Sequence, residues 1–273
     1  MASLTPSEIL AKQSEASAVK ANSGILRLML LGILAGAFIA FGACGSLMAS
    51  FNLTSNPDTV GIGKVAMGAV FPVGLMMVVL CGGELFTGNC LMVTGTLDRR
   101  IGWGKLLRNW GIVYGGNFIG SILVAGCVKV SGMWDLGEGL LGAVTLKTAV
   151  SKCSLDFGQA VVMGICCNVL VCLAVWMAAG SSETSGKILA IWFCVGLFVI
   201  CGFEHSIANM YFISAGMMAA ANDTYVSLAG IDTGELTVFN FVIRNLVPVT
   251  AGNIIGGSIF VGAAYWLGYR RFK

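Results

Sequence analysis

Apolar residues fall in six long blocks along the chain, at about 25–51, 65–94, 109–130, 157–179, 188–218 and 238–267. Each is long enough for a helix crossing a bilayer, which takes about 20 apolar residues. The second and fifth blocks exceed one straight span, and polar groups interrupt both. The first interruption reads Gly82-Gly83-Glu84-Leu85-Phe86-Thr87-Gly88-Asn89, the second Gly202-Phe203-Glu204-His205-Ser206-Ile207-Ala208-Asn209. A charged side chain at the centre of a membrane helix costs roughly 2.5–3.5 kcal/mol on insertion scales. Polar groups at that depth face protein or a water-filled cavity. The pattern therefore predicts an all-α integral membrane protein with six transmembrane spans. Spans 2 and 5 are interrupted, and their breaks line a pathway for a small solute.

Outside the blocks, Thr5-Pro6-Ser7-Glu8 has the form of a helix start. It predicts a short amphipathic helix with Ile9, Leu10, Ala16 and Val19 on its apolar side, lying at the membrane interface rather than as a lid over a pore mouth. The expected organisation is an N-terminal helix over 1–24, one six-span domain over 25–268 and a basic tail over 269–273. Residues 131–156 and 219–235 read as polar connectors, and no cleavable secretory signal is visible.

Composition supports the membrane reading. Charged residues make up 11% of the chain, against about 25% in soluble domains. The 38 glycines suit close helix approach and unwound segments. Ten cysteines lie mostly within apolar runs, without a CxxC pair, and behave as small hydrophobic residues. A single histidine cannot complete a His-rich metal site, so neither metal nor cofactor is expected. A net charge of +3 gives no reason to expect nucleic acid. Six spans put both termini on one side. Placing that side in the cytoplasm puts eleven basic residues inside, including Lys12, Lys20, Arg27, Arg99, Arg100, Lys105, Arg108 and Lys273, and five outside or near it. That balance predicts a multi-pass inner (plasma) membrane protein with cytoplasmic termini.

The two halves also echo one another. Glu84 and Asn89 match Glu204 and Asn209 at the ends of the two interruptions. Arg108-Asn109 with Gly116-Asn117-Phe118-Ile119-Gly120 matches Arg244-Asn245 with Gly252-Asn253-Ile254-Ile255-Gly256 at identical internal spacing. With three spans per half, at about 25–130 and 157–268, the copies enter the membrane from opposite sides. Such inverted 3+3 repeats place a solute site near the midplane, between interrupted helices. Half-helix N-termini there suit an anion.

GFEHSIAN in the fifth span, ELFTGN in the second, CNVLVCLAVW in the fourth and NLVPVTAGNIIGG in the sixth resemble the formate/nitrite transporter family across nearly the whole chain. The resemblance implies a homopentamer of aquaporin-like protomers in the lipid bilayer. Each protomer would carry its own pore for small monovalent anions such as formate, nitrite or hydrosulfide. It also implies roles for individual residues. His205 corresponds to the pore histidine, with Thr87 facing it, and Lys152 to the lysine of the outer vestibule. Asn168 and Asn253 correspond to inward-facing amides, and Glu204 to the carboxylate beside the histidine. Phe71, Leu75 and Phe198 resemble an apolar constriction towards the cytoplasm, and Leu85 one towards the outside.

Chemistry qualifies each role. Glu84 and Glu204 would repel anions if they faced the pore charged, so they are expected to accept hydrogen bonds from backbone N–H groups freed by the breaks. Asn117 and Asn168 also fit helix-bridging amides. A neutral imidazole donates to an anion and exchanges protons near neutrality. The expected function is a passive or proton-coupled channel for anions of weak acids, formate first, and not an enzyme. In the competing reading, an aquaporin-like channel passes neutral solutes, but the paired Asn-Pro-Ala motif is missing and Lys152 suits an anion.

Overall fold

A computed structural model describes residues 3–271, with side chains to Arg270. Phe272 and Lys273 of the expected basic tail lie outside the described residues. Among those described, all regular structure is helical. Six helices are long and apolar enough to cross a membrane: Ile25–Thr54, Val60–Gly82, Trp103–Val130, Phe157–Gly180, Thr184–Cys201 and Asn240–Arg270.

The elements follow in chain order. Helix α1 (Pro6–Ala21) starts at a complete capping box, in which Thr5 and Glu8 exchange hydrogen bonds. Helix α2 (Ile25–Thr54) follows. The second long helix comprises α3 (Val60–Val70) and α4 (Val73–Met77), joined at Pro72, and a π-helical turn to Gly82. Short helices α5 (Phe86–Asn89) and α6 (Val93–Leu97) come next, then α7 (Trp103–Val130), α8 (Leu140–Cys153) and α9 (Phe157–Gly180). After α10 (Thr184–Cys201) the chain breaks and resumes as α11 (Ser206–Ala219), followed by α12 (Asp223–Ala229). The last long helix holds α13 (Val247–Ile254) and α14 (Ala264–Trp266) between π-helical stretches.

Two elements differ from the sequence expectation. The connector at 131–156 contains α8, which buries Leu141, Val144, Leu146 and Ala149, chiefly against α11. Its glycine and lysines mask an apolar face with helical spacing. Helix α1, expected to lie at the membrane interface, buries Leu10, Ser14, Ser17 and Ala21 against α6, α9 and neighbouring turns, with Gln13, Ser17 and Lys20 lining a chamber mouth.

Two parallel helix pairs frame the molecule. Helix α2 lies against α7 and α9 against α13, each pair meeting at glycines. A Cβ on Gly120 would sit 2.0 Å from the Ile33 carbonyl oxygen, and one on Gly256 2.3 Å from that of Ile165. The GNxIG motif is thus a point of backbone contact in both halves. Gly180, at the end of α9, lies against Leu4 and Ile9. Helices α1 and α8 therefore cover opposite ends of the bundle.

Candidate functional site

Each interruption is built alike. The helix before it ends at a glycine with positive φ, Gly82 (+89°) or Gly202 (+74°), where an L side chain would be strained. Extended backbone follows at Leu85 and at His205, and a new helix begins one residue later.

An asparagine from a long helix holds each new start. Asn117 Oδ1 accepts from the Phe86 N–H at 3.0 Å, and its Nδ2 donates to the carbonyls of Gly32 and Glu84. Asn253 does the same for Ser206, Gly164 and Glu204, at 2.9, 2.8 and 3.0 Å. A second asparagine ties the acidic residue. Asn89 Nδ2 donates to Glu84 Oε2 and Asn109 Oδ1, and Asn209 Nδ2 donates to Glu204 Oε2 and Asn245 Oδ1.

A lysine closes each set. Lys152, on α8, donates from Nζ to Glu204 Oε1 at 2.8 Å, and Lys20, on α1, donates to Glu84 Oε2 at 3.1 Å. The two carboxylates thus bind lysine and asparagine side chains, not the freed backbone N–H groups expected from sequence. The N–H groups of Phe86 and Ser206 go to asparagine oxygens, those of Glu84 and Glu204 to main-chain carbonyls, and that of Ala208 to a ring nitrogen of His205.

Two chambers result. One, of about 240 Å³, is lined by Lys20, Ser17, Leu75, Val78, Leu85 and Asn89 among others. The other, of about 230 Å³, includes Lys64, Lys152, Phe71, Phe198, His205 and Asn209 in its lining. Between them lies a void of only about 10 Å³, walled by Ile39, Phe71, Leu75, Leu85, Val171, Val195, Phe198 and His205. The septum is apolar except for one side chain, His205.

The imidazole is held at both nitrogens. The Ala208 backbone N–H donates to Nδ1 at 3.0 Å, capping α11, so Nδ1 carries no proton. Nε2 therefore carries it and donates to Thr87 Oγ1 at 2.9 Å. The ring also stacks on Phe198, with centroids 5.9 Å apart.

The structure thus brings together His205, Thr87, Glu204 and Lys152. It places the two amides elsewhere. Every hydrogen bond of Asn253 goes to backbone, and Asn168 Nδ2 bridges the carbonyls of Thr87 and Asn253. Both are fully buried scaffold for the breaks, and neither lines a chamber.

The apolar residues fall in a different order from that implied by the resemblance. Phe71 and Phe198 face the chamber of Lys152, expected outside, and Leu85 faces that of Lys20, expected in the cytoplasm; only Leu75 lies on its expected side. Chain direction explains this. Helix α3 starts at the Lys152 end and meets Phe71 before Leu75, whereas Leu85 lies beyond the break.

Lys20, Asn89 and Asn209 were not recognised from sequence as site residues. A signal for Lys20 was present: it precedes Gly32 by twelve residues, as Lys152 precedes Gly164.

The sequence profile described as "Formate/nitrite transporter" matches residues 7–267. The chain belongs to this family. "Formate channel FocA" of Escherichia coli (strain K12) is 38% identical, the alignment covering 98% of this chain and 95% of that one. "Formate channel BtFdhC" of Bacillus thuringiensis is 39% identical over 99% of this chain and 98% of its own. Among solved structures, one described as "Pentameric formate channel with formate bound" superposes with a TM-score of 0.78 at 34% identity, covering 90% of this chain and 97% of that one. Membership of this family, with six spans of sufficient length and hydropathy, makes the chain a multi-pass membrane protein.

Proposed function

We propose that the protein is a passive or proton-coupled channel for small monovalent anions of weak acids, formate first and nitrite or hydrosulfide next. Its protomer is aquaporin-like, an inverted 3+3 repeat with spans 2 and 5 interrupted, and it works as a homopentamer in the inner membrane with both termini in the cytoplasm. One observation carries the reading: two lysine-bearing chambers face one another across an apolar septum whose sole polar side chain is His205. The relatives described as formate channels favour formate among the candidates.

Lys152 and Lys20, each paired with a glutamate, offer N–H donors to an anion in their chambers, and Lys64 adds a cation without a carboxylate partner among the described residues to that of Lys152. A bare charge pays a steep desolvation cost in the septum, whereas the neutral acid pays far less. The solute accepts a proton from chamber water, crosses as the acid and releases the proton beyond. His205 is the polar side chain that the passing solute meets in the septum, and Thr87, fully buried, accepts from its Nε2–H and orients the ring. Relay of the proton through the ring is disfavoured, because Nδ1 is engaged by the cap of α11.

Formate uptake into proteoliposomes over a pH series tests this. Flux is expected to rise as the uptake-side pH falls from about 7.5 to about 5.5, over which the protonated fraction of a carboxylic acid with a pKa of about 4 rises about a hundredfold. His205→Asn, which retains an amide donor, is expected to keep that pH response, and His205→Ala to lose most flux. Flux flat with pH sinks proton coupling. Glycerol passing faster than formate favours the neutral-solute channel instead.

A further inference from the structure

Away from the chambers, the starts of α2 and α7 lie side by side, tied by Lys105 Nζ to Asn22 Oδ1 at 2.5 Å and by both terminal nitrogens of Arg108 to the Ser23 carbonyl. Around them stands a cationic surface of Arg27, Arg99, Arg100, Lys105 and Arg108, all exposed. Its only acidic contact among the described residues is Glu15, at the 4.0 Å limit from Arg100. Among the described residues the side chains of Arg27 and Arg99 make no ion pair or hydrogen bond, although the Arg99 backbone N–H donates to the Thr96 carbonyl. Arg99 is one of two non-glycine residues with positive φ (58°) among the described residues, a conformation that costs energy and fixes where its side chain leaves the backbone.

A hollow of about 400 Å³ opens between Arg99, Arg100, Trp103 and Lys105. Trp103 is 57% exposed, and Leu107, one turn further along the same face of α7, is also more than half exposed. Trp103 and Arg27 lie in the first turns of helices that cross the membrane, where an indole sits at headgroup depth.

We propose that this surface binds the headgroup of an anionic phospholipid. Its phosphate sits in the hollow against Arg99, Arg100 and Lys105, and its acyl chains run down the Trp103 and Leu107 face of α7. A soluble anion leaves the indole and the apolar flank unexplained, and an acidic protein has no need of a hollow at the bilayer edge. Charge complementarity and the apolar face of α7 that begins at the hollow together favour the lipid.

The test uses the full-length protein in detergent, with native mass spectrometry reading retained lipid. Phosphatidylglycerol is expected to be held and phosphatidylcholine lost. Arg99→Gln with Arg100→Gln is expected to weaken retention by about fivefold per charge removed, the scale of one cation near an anionic surface. The double change of both to Lys restores it, and Lys129→Gln, at the far end of α7, leaves it unchanged. Millimolar inorganic phosphate does not displace the lipid. Equal retention of both lipids, displacement by phosphate, or unchanged binding in the double Gln variant overturns the proposal. The lipid comparison and the phosphate competition use unaltered protein, so they decide the matter even where a variant fails to fold.

Discussion

The chamber of Lys20 and the chamber of Lys152 share a frame and differ in what fills it. Both have a lysine from a capping helix, a glutamate from a helix break and an asparagine from the short helix beyond. Lys20 reaches two acceptors, Glu84 and Asn89 Oδ1, and its side chain is 31% exposed. Lys152 reaches only Glu204, lies 5.3 Å from the centroid of Phe212 and is 14% exposed. Asn209 Oδ1, the counterpart of the acceptor that Lys20 fills, is buried without a partner. The lining diverges further at the septum, where Leu85 stands in one break and His205 in the other. Packing dictates the shared frame, since glycine contacts and asparagine bonds to backbone leave little latitude. The positions free of that duty carry the difference.

The largest effect is expected from the carboxylates. Removing one partner of a buried pair strands the other charge, at a cost of about 3–5 kcal/mol. Glu204→Ala is expected to approach that loss. Glu84→Ala is expected to lose less, because water reaches Lys20 more readily than Lys152. Thermal unfolding of the purified protein measures both, and equal losses would break the comparison.

Next come the frame asparagines. Asn117→Ala and Asn253→Ala each free an N–H at the start of a short helix and two backbone carbonyls. About 1–3 kcal/mol is expected for each variant, the cost of the one N–H left without a partner, since each carbonyl keeps a second lone pair for other donors. Here the halves are expected to respond alike, and a loss in one variant alone would show that the frame is not shared.

A transport effect of several-fold is expected at Lys64. This residue adds a second cation to the Lys152 chamber, and the chamber of Lys20 has no second lysine or arginine in its lining. Lys64→Gln is expected to slow formate capture from that side at low ionic strength. The difference is expected to fade near 1 M salt, where the screening length is about 3 Å. A salt-independent defect would assign Lys64 to packing.

The smallest effect concerns the cap of α1. The Thr5 backbone N–H, with help from its hydroxyl, holds the Glu8 carboxyl below the usual carboxylate range. A depressed pKa gives stability that is present above the unfolded value, about 4.3, and lost as pH falls through the lower folded value. Acidification below that range is expected to fray the start of α1, and Glu8→Gln to remove the pH dependence. Amide exchange at the α1 N-terminus measures both. Helix α8 starts at Gly139 without a side-chain cap and is expected to show no such transition.

The order of residues by itself determined the membrane class, the six spans, the two polar interruptions and their internal echo. Hydrophobic period and length carry those directly, because each depends only on neighbours in sequence. His205 and Thr87 were legible for a related reason, as polar groups at a depth where hydrocarbon penalises them. Only the tertiary structure decided which partners those groups take. Lys20 and Glu84 are far apart in sequence, and their meeting depends on how α1 folds back over the bundle. Asn168 and Asn253, expected to face the pore, spend their side-chain hydrogen bonds on backbone groups at the breaks, because a break exposes groups that must be satisfied from another helix. The order of Phe71, Leu75 and Leu85 through the septum follows from the direction of each half-helix and the reversal at each glycine. Local pattern determines whether a side chain is tolerated at membrane depth, and packing determines what it touches there.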